Sequence, residues 1–155
     1  MSRLTMMCIG QAVEQSMLET GLWQLVKRNL PGHVIRVENT SGSGTPDVNA
    51  CYAGKETWLE LKMAKGNWVH FRTSQVAWFT KRVPRQGRCG VLIRKNDDLY
   101  LVRGAELTNA IMSHAVPNKD KSCKIPIADL PARKFSKPWK WDDISEKVYE
   151  LFTKC

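Results

Sequence analysis

The sequence lacks the short motifs that usually identify an enzyme class. It contains no phosphate-binding P-loop, no dinucleotide-binding glycine fingerprint, and no Ser-His-Asp or Cys-His arrangement for nucleophilic catalysis. Its five cysteines are odd in number and widely scattered, without a Cys-x-x-Cys pair, which argues against a disulfide framework or a zinc site. No apolar run is long enough for a signal peptide or a membrane span, so we expect a cytoplasmic protein with reduced thiols.

Acidic residues are scarce relative to basic ones. Fifteen Asp and Glu stand against twenty-four Lys and Arg, which gives a net charge of +9 and a pI near 9.5. Such an excess favours nucleic acid or an anionic membrane surface as the partner, and the alternative is a solvated basic surface without a specific ligand. The 155 residues, 43% of them hydrophobic, suffice for one globular domain with a real core.

Apolar periodicity and turn residues predict helices and strands in the order α-β-β-β-α-β-β-α. The predicted helices cover residues 11–30, 73–83 (capped by Thr73 or Ser74) and 106–114, and a last one capped by Asp142 or Asp143; the predicted strands cover 33–38, 47–53, 57–63, 89–94 and 99–102. Residues 64–70 read as a polar loop and 115–141 as the least regular part. The order implies a central mixed sheet flanked by helices, with a domain core over about 11–103 and a C-terminal helical extension over about 104–155.

Two carboxylates lie on what reads as two neighbouring strands. Asp47 ends the run Gly44-Thr45-Pro46-Asp47, and Glu60 begins Glu60-Leu61-Lys62. Because side chains alternate along a strand, Glu60 and Lys62 share one face. A two-residue turn would place Asp47 opposite either Glu60 or Lys62, and both registers put all three groups on that face.

Carboxylates a few ångströms apart repel each other, and a divalent cation removes the conflict. Asp47, Glu60 and the backbone carbonyl of Leu61 would therefore bind Mg²⁺ or Mn²⁺, which prefer oxygen ligands. Lys62 would orient an attacking water or stabilise charge on the reacting phosphate. The alternative is an ordinary cross-strand Lys–carboxylate pair on a solvated face.

Further candidates flank this pair. Glu14 or Glu19, beside the apolar stripe of the first helix, would reach the metal, or both are surface residues. Gln75, at the start of the second helix, would bind a phosphate or a metal-bound water, or it is a surface residue. Basic residues around that helix are expected to contact the nucleic-acid backbone: Lys65, His70, Arg72, Lys81, Arg82 and Arg85. His70 is also a weak candidate for a general acid.

Four pieces together resemble the PD-(D/E)XK nucleases of the restriction-endonuclease-like fold. They are a helix carrying Glu19, the Gly44-Thr45-Pro46-Asp47 stretch, Glu60-Leu61-Lys62, and Ser74-Gln75 opening the next helix. Within that superfamily the chain is most similar to virus-type replication-repair nuclease (VRR-NUC) domains, and it is similar to archaeal and phage Holliday junction resolvases. The resemblance implies that Asp47 and Glu60 bind metal, that Lys62 assists the nucleophile, and that Glu19 and Gln75 complete the site.

The resemblance covers about residues 14–95 and implies a Mg²⁺- or Mn²⁺-dependent DNA endonuclease. It would be structure-selective, acting on Holliday junctions, other branched DNA or flaps in phage replication, recombination or repair, and working as a homodimer in a bacterial or phage-infected cytoplasm. The chain departs from the family in its Ser41-Gly42-Ser43-Gly44 loop and beyond residue 103, so the substrate stays open. The alternatives are a non-catalytic nucleic-acid-binding module and a sequence-specific restriction-type endonuclease.

Overall fold

A six-stranded mixed sheet forms the centre of the structure, a computed structural model that describes residues 21–38 and 44–151. In spatial order its strands are β1 (His33–Arg36), β2 (Val48–Tyr52), β3 (Lys55–Met63), β5 (Cys89–Lys95), β6 (Asp98–Arg103) and β9 (Arg133–Ser136). Strands β3 and β5 pair in parallel, and every other neighbouring pair is antiparallel. The sheet is therefore mixed, as the sequence predicts.

The hairpin between β2 and β3 has a two-residue turn. Ala53 and Gly54 both take positive φ angles, 50° and 75°, which suits the right-handed twist of the flanking strands. Strand β3 accordingly begins at Lys55, two residues before the predicted strand. The turn fixes the register, in which Val48 lies opposite Leu59.

Helices cover both faces of the sheet. Helix α1 (residues 21–29) and helix α4 (Trp141–Tyr149) pack on the face that carries Leu59, Leu61 and Leu92. Helix α2 (Thr73–Arg82) and helix α3 (Gly104–His114) lie on the opposite face, in a cluster that includes Phe79, Leu107, Val91 and Ile93. No helix within the described ranges is long and apolar enough to cross a membrane.

A second, three-stranded sheet occupies segments predicted to be irregular. The predicted polar loop 64–70 ends in strand β4 (Trp68–Phe71), in which Val69 and Phe71 are buried. Strand β4 pairs with β8 (Cys123–Pro126), which pairs with the short β7 (Val116–Pro117). The prediction of a loop was wrong because the pairing partner of β4 lies some fifty residues away, and local pattern carries no trace of it.

The predicted helix caps were also wrong. The N-cap of α2 is Arg72, and the hydroxyl of Thr73 donates a hydrogen bond to the Lys121 carbonyl instead of capping the helix. The N-cap of α4 is Lys140, so Asp142 and Asp143 lie in the first turn. Their negative charges still interact favourably with the positive end of the helix dipole, which lies at this N-terminus.

Residues 104–151 contribute to the same core as the segments before them. Besides α3 and α4, this part contains β9, which extends the central sheet next to β6. Ile144 on α4 is fully buried in the cluster that contains Leu59 and Leu61, directly behind the strand that carries Glu60. The predicted C-terminal extension therefore supports the central sheet and also supplies one of its strands.

We expect Ile144→Ala to lower the free energy of unfolding by about 2–5 kcal/mol, since it removes a buried side chain and leaves a cavity. Met112→Ala is a matched helical control, because Met112 is 87% exposed and its truncation should change stability by no more than about 0.5 kcal/mol. Urea denaturation of both variants measures the difference. Equal, small effects would contradict a core role for α4.

Candidate active site

Asp47 and Glu60 face each other at the open end of the β2–β3 pair. Continuing the register of Val48 and Leu59 by one residue places Asp47 opposite Glu60, which is one of the two expected registers. Asp47 Oδ2 accepts a hydrogen bond from the Leu61 backbone N–H at 3.0 Å. Because the N–H and C=O of a strand residue point to the same neighbour, the Leu61 carbonyl is directed toward the side on which Asp47 lies.

The Glu60 carboxylate is buried, with 2% of the residue exposed. Its Oε1 accepts a hydrogen bond from Gln75 Nε2 at 2.5 Å and lies 3.8 Å from Lys62 Nζ. Its Oε2 is buried and has no hydrogen-bond partner among the described residues. Burial, with a further contribution from the Asp47 charge, raises the pKa of Glu60 to about 8, while Lys62 and Arg72 act in the opposite direction.

Gln75 connects the acidic and basic members of the site. It is 3% exposed, so the alternative of a surface residue is wrong. Its Oε1 accepts hydrogen bonds from Lys62 Nζ at 2.9 Å and from the Arg72 backbone N–H at 3.0 Å, while its Nε2 donates to Glu60. An amide can hold both partners because it is a donor at one end and an acceptor at the other.

Lys62 is held from three directions. Its ammonium contacts Gln75 and Glu60, and it lies 5.3 Å from the centre of the Phe71 ring. The side chain is 15% exposed, so its amine sits at the margin of solvent. Sequence analysis missed Phe71, which directly follows the segment 64–70 that was read as a polar loop.

Gly44 positions the loop that carries Asp47. Its φ is 69°, and a Cβ atom at this position would lie 2.1 Å from the Ser74 carbonyl oxygen and 2.6 Å from the Gln75 backbone nitrogen. The loop backbone therefore rests directly on the first turn of α2, where only glycine fits. This contact links the segment before Asp47 to the turn that presents Gln75.

Glu19 and Glu14, the candidates for a further carboxylate, lie outside the described residues. The described part of α1 packs through Leu22 and Val26 into the cluster of Leu59 and Leu61, on the face opposite Glu60. Within residues 21–38 and 44–151 no three His, Cys, Asp or Glu side chains group together to hold a metal.

The donors that are present suit a hard divalent cation. Two carboxylates and one carbonyl are the oxygen ligands that Mg²⁺ and Mn²⁺ prefer, with waters and substrate oxygens completing the shell. The buried, unpartnered Glu60 Oε2 is an acceptor that such a cation would satisfy. The residues of the site therefore fit the metal that the sequence predicts.

The six predicted nucleic-acid-binding residues fall into two groups. Three flank the site on strand β4 and the residues around it: Lys65, His70 and Arg72. The other three lie at the C-terminal end of α2 or in the turn that follows it: Lys81, Arg82 and Arg85. Arg85 Nη1 donates a hydrogen bond to the Lys81 carbonyl at 2.6 Å. Arg82 stacks on the rings of Trp78 and Trp58, at 4.8 and 5.8 Å, so its guanidinium has a packing role.

A structural comparison identifies the fold. No family model matches the chain, and none of the curated proteins matches it. Among solved structures it is similar to Hjc from Archaeoglobus fulgidus, described as a Holliday junction resolvase from an archaeal hyperthermophile, with a TM-score of 0.53 and 16% identity. The match covers 86% of this chain and 98% of that one, so it extends well beyond the predicted core of residues 11–103. The mixed sheet flanked by helices thus matches a resolvase-type, restriction-endonuclease-like fold. The predicted fold class is confirmed.

Gly44→Ala should destabilise the protein more than Gly66→Ala. Both glycines have positive φ, so both substitutions cost about 1–2 kcal/mol of backbone strain, but a Cβ at Gly66 meets no atom within 4 Å. Only Gly44→Ala adds a clash with the backbone of α2. Chemical denaturation of the two variants separates strain from clash, and equal losses would mean that the loop does not rest on α2.

In metal-free protein, Glu60 should make stability decrease as pH rises. Between pH 4.5 and 8 the folded protein retains a proton that the unfolded chain has lost, so stability falls through this window and levels off above it. Glu60→Gln removes this dependence and should gain up to a few kcal/mol relative to wild type by pH 8. Urea unfolding in EDTA across this range measures it, with Asp129→Asn as the control; parallel curves for Glu60→Gln and wild type would refute the prediction.

Proposed function

We propose that this protein is a divalent-metal-dependent DNA endonuclease that hydrolyses phosphodiester bonds. The observation that carries the proposal is the buried Glu60 carboxylate opposite Asp47, with Lys62 beside it and with one oxygen that has no hydrogen-bond partner within residues 21–38 and 44–151. A buried carboxylate with a second, half-buried carboxylate opposite it is a costly arrangement for a purely structural role. The fold shared with a resolvase and the net charge of +9 support the same function.

Each residue has a distinct role in this proposal. Asp47, Glu60 and the Leu61 carbonyl would hold Mg²⁺ or Mn²⁺, and Glu19 is proposed as a further ligand from the family resemblance. A cation held there would supply Lewis-acid polarisation of the phosphoryl oxygen and a lowered pKa for the attacking water. Lys62 orients that water or stabilises the negative charge that develops on the phosphate.

Gln75 acts as a positioning residue in the proposed site. It holds the Glu60 carboxylate and the Lys62 ammonium in a fixed relation through its two hydrogen bonds. Such fixation matters because catalytic groups displaced by an ångström lose much of their effect.

The proposed substrate is branched DNA, such as a Holliday junction or a flap. The similarity to an enzyme described as a Holliday junction resolvase supports this choice over a sequence-specific restriction-type activity. A symmetric homodimer would place two sites against opposing strands of such a substrate. We further propose kinship with VRR-NUC domains and a role in phage replication, recombination or repair.

Asp47→Asn and Glu60→Gln should each lower the rate of DNA cleavage by about 10²-fold or more, because each removes a ligand charge. Lys62→Ala should reduce the rate by a similar factor while retaining metal affinity. The measurement is cleavage of four-way junction, flap, nicked and linear DNA in Mg²⁺ or Mn²⁺. Asp129→Asn, at an exposed acid that is not part of the proposed site, is the control.

Calorimetric titration with Mn²⁺ distinguishes this enzyme from a non-catalytic nucleic-acid-binding module. The endonuclease requires a binding heat that disappears in Asp47→Asn and persists in Asp129→Asn and Lys62→Ala. DNA binding without metal affinity or cleavage would favour the binding module. Cleavage that follows sequence rather than branch structure would favour a restriction-type enzyme.

A further inference from the structure

A hairpin from the C-terminal half lies beside the candidate active site. The β7–β8 hairpin (residues 116–126) pairs with β4, so that Cys123 lies opposite Phe71 and Lys124 opposite His70. The Phe71 ring contacts the Lys62 ammonium, so Phe71 lies between the hairpin and the site. Burial raises the pKa of Cys123, and the nearby charge of Lys62 offsets part of that rise.

The hairpin is built as an ordered element and is attached to α2. Its Asn118 N–H donates to the Ser122 carbonyl at 2.7 Å, and Ser122 donates to the Asp120 carboxylate through both its backbone N–H and its hydroxyl. Thr73, the first residue of α2, donates to the Lys121 carbonyl at 2.8 Å. The Lys121 backbone is thereby held next to the helix turn that presents Gln75, so little ordering of the backbone would be needed on binding.

The hairpin carries an excess of positive charge. Three lysines stand against one acid, Asp120, whose carboxylate is already engaged by Ser122 inside the loop. The Lys124 ammonium lies 4.5 Å from the centre of the Trp68 ring, which directs this side chain along β4. Lys119 and Lys121 are exposed.

Cations from separate segments converge at this surface. The pKa of His70 is lowered by burial first and then by the charges of Lys65, Lys124 and Lys62, which belong to the loop before β4, to β8 and to β3. Arg72 directly follows β4 and is the N-cap of α2. Clustered like charges repel one another, and a phosphate backbone laid across them relieves the repulsion and releases counterions.

We propose that the β7–β8 hairpin binds the DNA backbone beside the bond that is cut, with Lys119, Lys121 and Lys124 contacting phosphates. This inference rests on the proposed function in taking DNA as the ligand. It adds a binding surface in residues 116–126, a segment in which sequence analysis named no site residue. The hairpin lysines, Lys65 before β4 and Arg72 after β4 then form a basic border along one side of the carboxylate pair.

The test compares two triple variants that remove the same charge from different surfaces. The hairpin variant carries Lys119→Gln, Lys121→Gln and Lys124→Gln, and the matched control carries Lys27→Gln, Lys55→Gln and Lys147→Gln. Fluorescence anisotropy in EDTA measures binding to a labelled four-way junction and a linear duplex between about 50 and 200 mM salt. Thermal unfolding of both variants verifies that they fold.

We expect the hairpin variant to lose about tenfold or more in affinity for DNA. The slope of its plot of log K against log salt should become shallower by about 2–3, because each lost phosphate contact reduces the slope by about 0.9. The control should retain the wild-type slope. In cleavage assays the hairpin variant should raise KM with kcat little changed, since it removes binding made equally in ground and transition states. A wild-type slope in the hairpin variant would overturn the inference, and so would an equal loss in the control.

Failure of the hairpin inference and failure of the proposed function give different results. Wild-type protein that binds DNA without cutting it refutes the endonuclease. If the hairpin variant then shows the shallower salt dependence, the binding surface stands. If wild-type protein cuts DNA and the hairpin variant binds and cuts equally well, the surface alone is refuted. If wild-type protein binds no DNA, the hairpin inference is overturned.

Discussion

Burial of the Glu60 carboxylate opposite Asp47 constrains the rest of the site. Removing a carboxylate from water costs several kcal/mol unless other groups compensate, and a second carboxylate next to it increases that cost. Compensation comes from Gln75 as a hydrogen-bond donor and from the charges of Lys62 and Arg72. Each of these groups works only at a fixed place, so the β2–β3 register and the first turn of α2 must be set together.

Apolar packing on both faces of the sheet makes this arrangement tolerable. Leu59 and Leu61, the sequence neighbours of Glu60, pack into the core on one face of the sheet. Val91 and Ile93, on the neighbouring strand β5, pack into the core on the other face. Burying such side chains contributes about 1.5–3 kcal/mol each, enough to offset one poorly satisfied carboxylate. The electrostatic cost that remains is the kind that a bound divalent cation relieves, which ties the stability of this region to its proposed chemistry.

Local pattern was sufficient for the part of the site that depends on local geometry. Alternation along Glu60-Leu61-Lys62 predicted which side chains share a face, and the short turn predicted that Asp47 would lie opposite one of them. Burial of Gln75 could not be predicted, because it depends on Gly44 allowing the loop to rest against α2. The second sheet could not be predicted either, since β4 and β8 pair across some fifty residues and neither strand is regular without the other.

This difference in sequence range separates the proposed catalytic residues from the proposed DNA-binding hairpin. The carboxylates, the lysine and the glutamine all come from residues 47–75, so their geometry follows from one hairpin and one helix start. The proposed DNA-binding hairpin comes from residues 116–126 and reaches the site only because β8 joins β4 and Lys121 is bound by Thr73. Changes in the hairpin would therefore alter which DNA is held without disturbing the hydrogen bonds around Glu60. A fold built in this way could keep the proposed hydrolytic site while its substrate preference varies, so the fold alone does not identify the DNA structure that the proposed enzyme would cut.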